Sequence, residues 1–234
     1  MFFKKPIVLD CYTSDKVAYT FYKPEFGINN LPKWWRELPK KTDNFESNMR
    51  GCAGVIDFFK KGITFKVTNS LEFHVNNQEV FWNGNVESSS VVFHSEKQRG
   101  SYLNNCYNPK IALPWRIRCK EEIYFLATTP TWSMENSDLV VPTQGVLEYK
   151  YNVSVNSNFF LKKTDSSYNF FIEEGTPVFI IFPLSDRKVI LNYHLVSEKE
   201  FLDLSQYNNA AKFKYFKSKK ALQENEKKCP FSFW

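Results

Sequence analysis

Apolar and polar residues alternate in short runs along most of the chain, which is the period of a strand with one face buried. Three such runs lie close together, at 63–67 (Ile-Thr-Phe-Lys-Val), 71–75 (Leu-Glu-Phe-His-Val) and 80–82 (Val-Phe-Trp). Turns rich in asparagine separate them, so they read as an antiparallel meander. Further runs at 7–9, 17–22, 91–94, 111–118, 123–128, 145–155, 159–161, 168–172, 178–184 and 188–196 continue the pattern. Pro24, Pro32 and Pro39 keep the stretch between them out of helix interiors and central strands. Residues 54–60 fit either a short helix or a buried strand, and 95–110 and 132–142 read as polar loops. Helical spacing is expected only from residue 197 onward. There Ser197 and Glu200 form a Ser-x-x-Glu capping box, and Phe201, Leu204, Ala211 and Tyr215 recur at helical intervals. The fold predicted is all-β, a jelly roll or related β-sandwich. It divides into one β-rich domain over 1–196 and a helical, lysine-rich segment over 197–234.

Composition strengthens the sheet assignment. The chain has 23 Phe, 12 Tyr and 6 Trp but only 8 Gly, and aromatic side chains favour a pleated, half-buried surface. At 234 residues a sizeable core forms without a disulfide or metal staple. The five cysteines are scattered with no Cys-x-x-Cys pair, which argues against a zinc ribbon, a redox motif and a secreted disulfide framework. No apolar run has the length of a membrane span. The first residues, Met1-Phe2-Phe3-Lys4-Lys5-Pro6, lack the apolar core of a signal peptide. A soluble protein made in a reducing cytoplasm is the expectation.

The net charge of +6 is unevenly placed. Residues 212–228 hold seven lysines against Glu224 and Glu226, so nearly all of the excess sits there. That stretch could meet nucleic acid or another acidic partner, or form a solvated helical face. A second basic stretch, Lys33-Trp34-Trp35-Arg36, interleaves aromatics with charge and reads either as a stacking platform or as a packing plug.

The motifs of the common catalytic folds are absent: no Gly-x-x-x-x-Gly-Lys, no Gly-x-Gly-x-x-Gly, no His-Glu-x-x-His and no Gly-x-Ser-x-Gly. The three histidines leave one constellation to weigh. His94-Ser95-Glu96 with the distant His194 has the form of a two-His-one-carboxylate iron site, because alternate residues of a strand face one way. Arg187 precedes His194, whereas that chemistry would want an arginine after it. The expectation is therefore no catalytic residue, no metal and no cofactor, with His94, Gln98, Trp115 and Arg187 as the candidate binding residues.

Two resemblances add context. Residues 145–155 and 171–181, with Gly145, Glu148, Tyr149 and the turn Glu174-Gly175-Thr176-Pro177, resemble the second half of the dUTPase-type barrel, a β-clip fold. The resemblance would put that family's catalytic aspartate at Glu148, and the Arg-Ser-Gly phosphate motif is missing. More broadly, the chain resembles an uncharacterised family of tailed-phage proteins. The residues that carry this are Leu31-Pro32-Lys33-Trp34-Trp35-Arg36-Glu37-Leu38-Pro39, Cys52-Ala53-Gly54-Val55-Ile56-Asp57, His94-Ser95-Glu96-Lys97-Gln98, Leu113-Pro114-Trp115-Arg116-Ile117 and Glu174-Gly175-Thr176-Pro177. Cys119-Lys120-Glu121-Glu122 departs from a Pro-x-Gly turn of that family. This second resemblance implies a phage setting, in the host cytoplasm or the virion, and no mechanism. The absent catalytic motifs, the abundant aromatics and the basic tail then lead to the expectation of a non-enzymatic phage protein that binds or assembles, such as a virion component, with itself or other phage proteins as partners. The alternatives are an accessory protein holding a nucleotide or host factor, and a metal-dependent oxygenase.

Overall fold

The computed structural model describes residues 4–39, 48–85, 90–150 and 153–209. It is a β-sandwich-like fold of three sheets and no barrel. The largest sheet runs β10 (Val140–Pro142), β12 (Ser154–Lys162), β8 (Pro109–Arg118), β1 (Ile7–Thr13), β15 (Val189–Leu195). Two short strands, β6 (Val91–Phe93) and β7 (Cys106–Tyr107), pair with β8 and β12. The second sheet runs β11 (Gln144–Glu148), β9 (Tyr124–Thr128), β14 (Pro177–Pro183), β3 (Ile63–Lys66), β2 (Glu25–Phe26). The third is β13 (Tyr168–Ile172), β4 (Leu71–Val75), β5 (Val80–Gly84). Every pairing is antiparallel except β1 with β15, whose seven residues lie parallel from Ile7↔Val189 to Thr13↔Leu195.

The inner faces share one core. Ile7, Leu9 and Cys11 of β1 alternate inward with Leu113, Trp115 and Ile117 of β8, against Leu71, Phe73 and Val75 of β4. Two hydrogen bonds tie the sheets across this core. The Ser157 hydroxyl donates to the Val178 carbonyl at 2.5 Å and the Thr129 hydroxyl to the Asn158 carbonyl at 2.7 Å. Central strands β3 and β14 are buried on both faces, and α3 (Ala53–Lys61) packs on β14 through Phe58 against Phe182 at 4.6 Å. Gly62, at the end of α3, is there for closeness: a Cβ would stand 2.4 Å from Ile180 Cδ1 and 2.8 Å from Phe182 Cε1.

Three expectations need correction. The first concerns 17–22, expected as a strand but found as helix α1 (Lys16–Phe21). The Asp15 carboxylate accepts from Val17 N–H at 2.7 Å and Ala18 N–H at 3.1 Å, and this cap outweighs the β-favouring Val and Tyr side chains. Asp15→Ala is expected to cost about 1 kcal/mol, read as a lower urea midpoint. Second, helix is not confined to the end of the chain. Besides α1 and α3 there are α2 (Lys33–Glu37) and α4 (Glu96–Arg99), before α5 (Glu198–Asn209). Helix α4 starts on a Ser95/Gln98 capping box inside the stretch read as loop. Third, 63–67 does not join a meander with 71–75: β3 pairs with β14 and β2, and only β4 and β5 form the hairpin. At the start of α5 the expected capping box is present, while Ala211 and Tyr215 lie outside the described residues. Ser197 N–H donates to Glu200 Oε2 at 2.9 Å, and Glu200 N–H donates to Ser197 Oγ at 3.3 Å. Among the described residues no helix is long and apolar enough to cross a membrane.

Candidate functional site

The four residues singled out in the sequence are not gathered. His94 and Gln98 lie beyond the Pro109 end of β8, while Arg187 lies beyond its Arg118 end, the length of a ten-residue strand away, roughly 30 Å. Trp115 is fully buried between them. Each has structural work. His94 Nδ1 stands 2.6 Å from Asn108 Oδ1, and Asn108 Nδ2 donates to the Phe159 carbonyl at 2.7 Å. That second bond leaves Oδ1 as the acceptor, so the proton sits on His94 Nδ1. Gln98 closes the capping box of α4.

Arg187 is a clamp. Its guanidinium donates to Glu121 Oε2 at 2.7 Å and Oε1 at 2.9 Å, and also to the carbonyls of Lys5 at 2.5 Å and Pro6 at 3.2 Å. The bond from Arg187 holds the Glu121 carboxyl below its ordinary value of 4.5. A group depressed in the folded state adds stability above its unfolded pKa and loses it as pH falls through the folded pKa. Urea midpoints are therefore expected to fall on acidification below about pH 4.5, and Glu121→Gln should flatten that part of the curve.

The remaining histidines are likewise engaged. His194 stacks on Tyr12 at 4.6 Å and its Nε2 lies 3.0 Å from Asp10 Oδ1. His74 Nδ1 lies 2.7 Å from Asn169 Oδ1. The structure does not bring His94, Glu96 and His194 together, and among the described residues no three metal-binding side chains cluster. Burial pushes the thiols of Cys11, Cys106 and Cys119 up, away from the reactive thiolate. Glu148 is buried at the end of β11. The stretch 212–228, with its expected contact to nucleic acid or an acidic partner, lies outside the described residues.

One surface feature that gathers aromatic and charged side chains is a cleft of about 850 Å³ between α2, the turn Thr131–Ser133 and the β13–β14 turn. Trp132, which lines the cleft, belongs to an aromatic cluster beside it. Trp35, 4% exposed, packs edge-on against Phe59 of α3 at 5.2 Å; Phe58 meets Trp132 at 4.9 Å and Phe182 at 4.6 Å. Trp35 is thus the plug, and it anchors α2. Its neighbour Trp34 points the other way: it is 38% exposed, and its indole N–H donates to the Trp132 carbonyl at 3.0 Å. The ring is held at its polar edge, meets Trp35 at 5.8 Å in a T-shaped arrangement and stays partly exposed. Across the cleft stands Phe171, 47% exposed.

The facing wall is the turn 173–176. Gly175 takes φ +82°, a left-handed conformation that favours glycine. Its N–H donates to the Val67 carbonyl at 2.9 Å and Thr176 N–H to the Glu173 carbonyl at 3.0 Å. Glu174 accepts from the Tyr22 hydroxyl, which raises the phenol above its ordinary value. The Ser133 hydroxyl reaches the Pro177 carbonyl at 2.6 Å, locking the third wall to β14. Lys33 and Arg36 face Glu37, Glu135, Glu173 and Glu174 around the rim, so the cleft carries a carboxylate excess.

Sequence reasoning reached only part of this site. The stretch around Trp34 was legible as either a platform or a plug, but Trp132 and Phe171 are ordinary aromatics at remote positions, and only the tertiary fold brings them to the same cleft. No protein-family model matches the chain, and no curated protein matches it.

Proposed function

We propose that this chain is a non-enzymatic bacteriophage protein with a binding or assembly role, a virion component that engages its ligand through the α2 cleft. One observation carries the reading: two segments that give the chain its resemblance to tailed-phage proteins, 31–39 and 174–177, line the same cleft from positions 140 residues apart in the chain. A rigid indole beside a wall held by backbone hydrogen bonds is preorganised for binding. The engagement of His74, His94 and His194 in side-chain hydrogen bonds also favours binding over catalysis. The carboxylate excess of the rim favours the binding-or-assembly role over capture of a nucleotide, whose phosphates it would repel.

The test is mass spectrometry of purified virions, alongside native mass spectrometry of the full chain. The protein is expected in virions at a fixed ratio to the main structural proteins, and as a closed homo-oligomer in solution. Presence in infected-cell lysate with absence from virions overturns the virion assignment and favours an accessory protein.

A further inference from the structure

The third sheet turns one face away from the core, and its side chains form a small grid. Register places Phe171, Glu72 and Asn83 in one row across β13, β4 and β5, and Asn169, His74 and Phe81 in the next. Phe81 is 54% exposed and stacks on His74 at 4.7 Å. The two phenyl rings stand at opposite corners of the grid, two strand spacings and one two-residue step apart, roughly 12 Å. Phe171 belongs both to this grid and to the cleft wall facing Trp34. Trp34, Phe171 and Phe81 therefore make one aromatic track that leaves the cleft and crosses the sheet.

We propose that this track binds a neutral oligosaccharide chain, an inference that rests on the cleft being a binding site. Four features select that ligand. The partly exposed rings of Trp34, Phe171 and Phe81, the last backed on one face by His74, offer apolar surface to the C–H faces of sugar rings, and the Trp34 N–H is held by the Trp132 carbonyl. Asn83 and Asn169 stand at the other two corners; the Asn83 amide offers both donors and an acceptor to neighbouring hydroxyl groups, while Asn169 Oδ1 and the Glu72 carboxylate already meet His74. The carboxylate excess disfavours phosphate-bearing and other anionic chains. The surface is open along its length, so it fits a linear chain that continues past both ends rather than an enclosed small molecule.

The experiment is native affinity electrophoresis of the full chain through gels containing hydroxyethylcellulose, galactomannan, xylan or dextran. Retardation is expected in at least one gel and is expected to persist at high salt, since no ion pair is involved. Trp34→Ala and Phe171→Ala should each weaken it roughly tenfold, the loss of one stacking ring and its buried area. Trp34→Phe should restore most of it, which separates stacking from misfolding. Tyr124→Ala, an exposed aromatic on the second sheet, should leave it unchanged. No retardation in any gel overturns the proposal, as does retardation that survives both alanine variants. A shift caused instead by an oligolysine peptide and erased by salt overturns it in favour of a cationic peptide on the same surface. Virion mass spectrometry is independent of sugar binding, so a virion protein that ignores all four polysaccharides refutes the ligand class and leaves the assembly role standing.

Discussion

Replacing Phe73 by alanine lowers the stability of the folded chain by about 3–5 kcal/mol, the range for a fully buried phenylalanine. Phe73 is completely buried and its ring is the meeting point of two sheets. It stands 6.2 Å from Phe159 of the largest sheet, 6.3 Å from Phe170 beside it, and 6.3 Å from Phe93 at 89°. Neighbours this large and this constrained cannot collapse into the space, so the cavity persists. For a chain of this size the loss corresponds to a fall in melting temperature of roughly 6–20 °C. Phe73→Leu should recover most of it. A melting temperature for Phe73→Ala within a degree or two of the parent would mean that the third sheet does not depend on this packing.

Asn108→Ala is expected to cost about 1–3 kcal/mol, although it removes only a small polar side chain. Asn108 is 5% exposed and bonded on both sides, to the Phe159 carbonyl and to His94 Nδ1. Truncation strands a carbonyl next to the core and leaves the imidazole without its acceptor. A double-mutant cycle with His94→Ala separates the two effects: coupling between contacting partners runs about 0.5–3 kcal/mol. Additive losses would mean that the Phe159 bond alone matters. The same cycle probes why His94, a candidate binding residue on sequence grounds, is better understood as part of the seam between β6, β8 and β12.

Those two residues also show what can be read from a sequence of this kind. The strand 71–75 was legible because its burial alternates strictly, Leu71, Phe73 and Val75 inward, Glu72 and His74 outward. Period alone then identifies both the element and its core face. Residues 17–22 alternate less well, and one carboxylate at Asp15 decides for helix. The short helix at Glu96–Arg99 carried its own signal, a Ser-x-x-Gln box, within a stretch whose polarity suggested loop. The cleft was harder. Which of Trp34 and Trp35 is buried depends on Phe59, and the pairing of Phe171 with Glu72 and Asn83 depends on strand register; neither is encoded locally. Arg187 is the converse: nothing near it in the sequence shows that Glu121 and the carbonyls of Lys5 and Pro6 surround its guanidinium.

The parallel pairing of β1 with β15 has a kinetic consequence. Its partners are 182 residues apart, from Ile7↔Val189 to Thr13↔Leu195, and a parallel pair cannot form through a local hairpin. The loop-closure entropy of the whole intervening chain must be met before these contacts give anything back. Strand β1 also pairs with β8, from Asp10↔Arg118 to Tyr12↔Arg116, so both of its neighbours come from far along the chain. Refolding is therefore expected to be slow beside the closing of a local hairpin such as β4–β5.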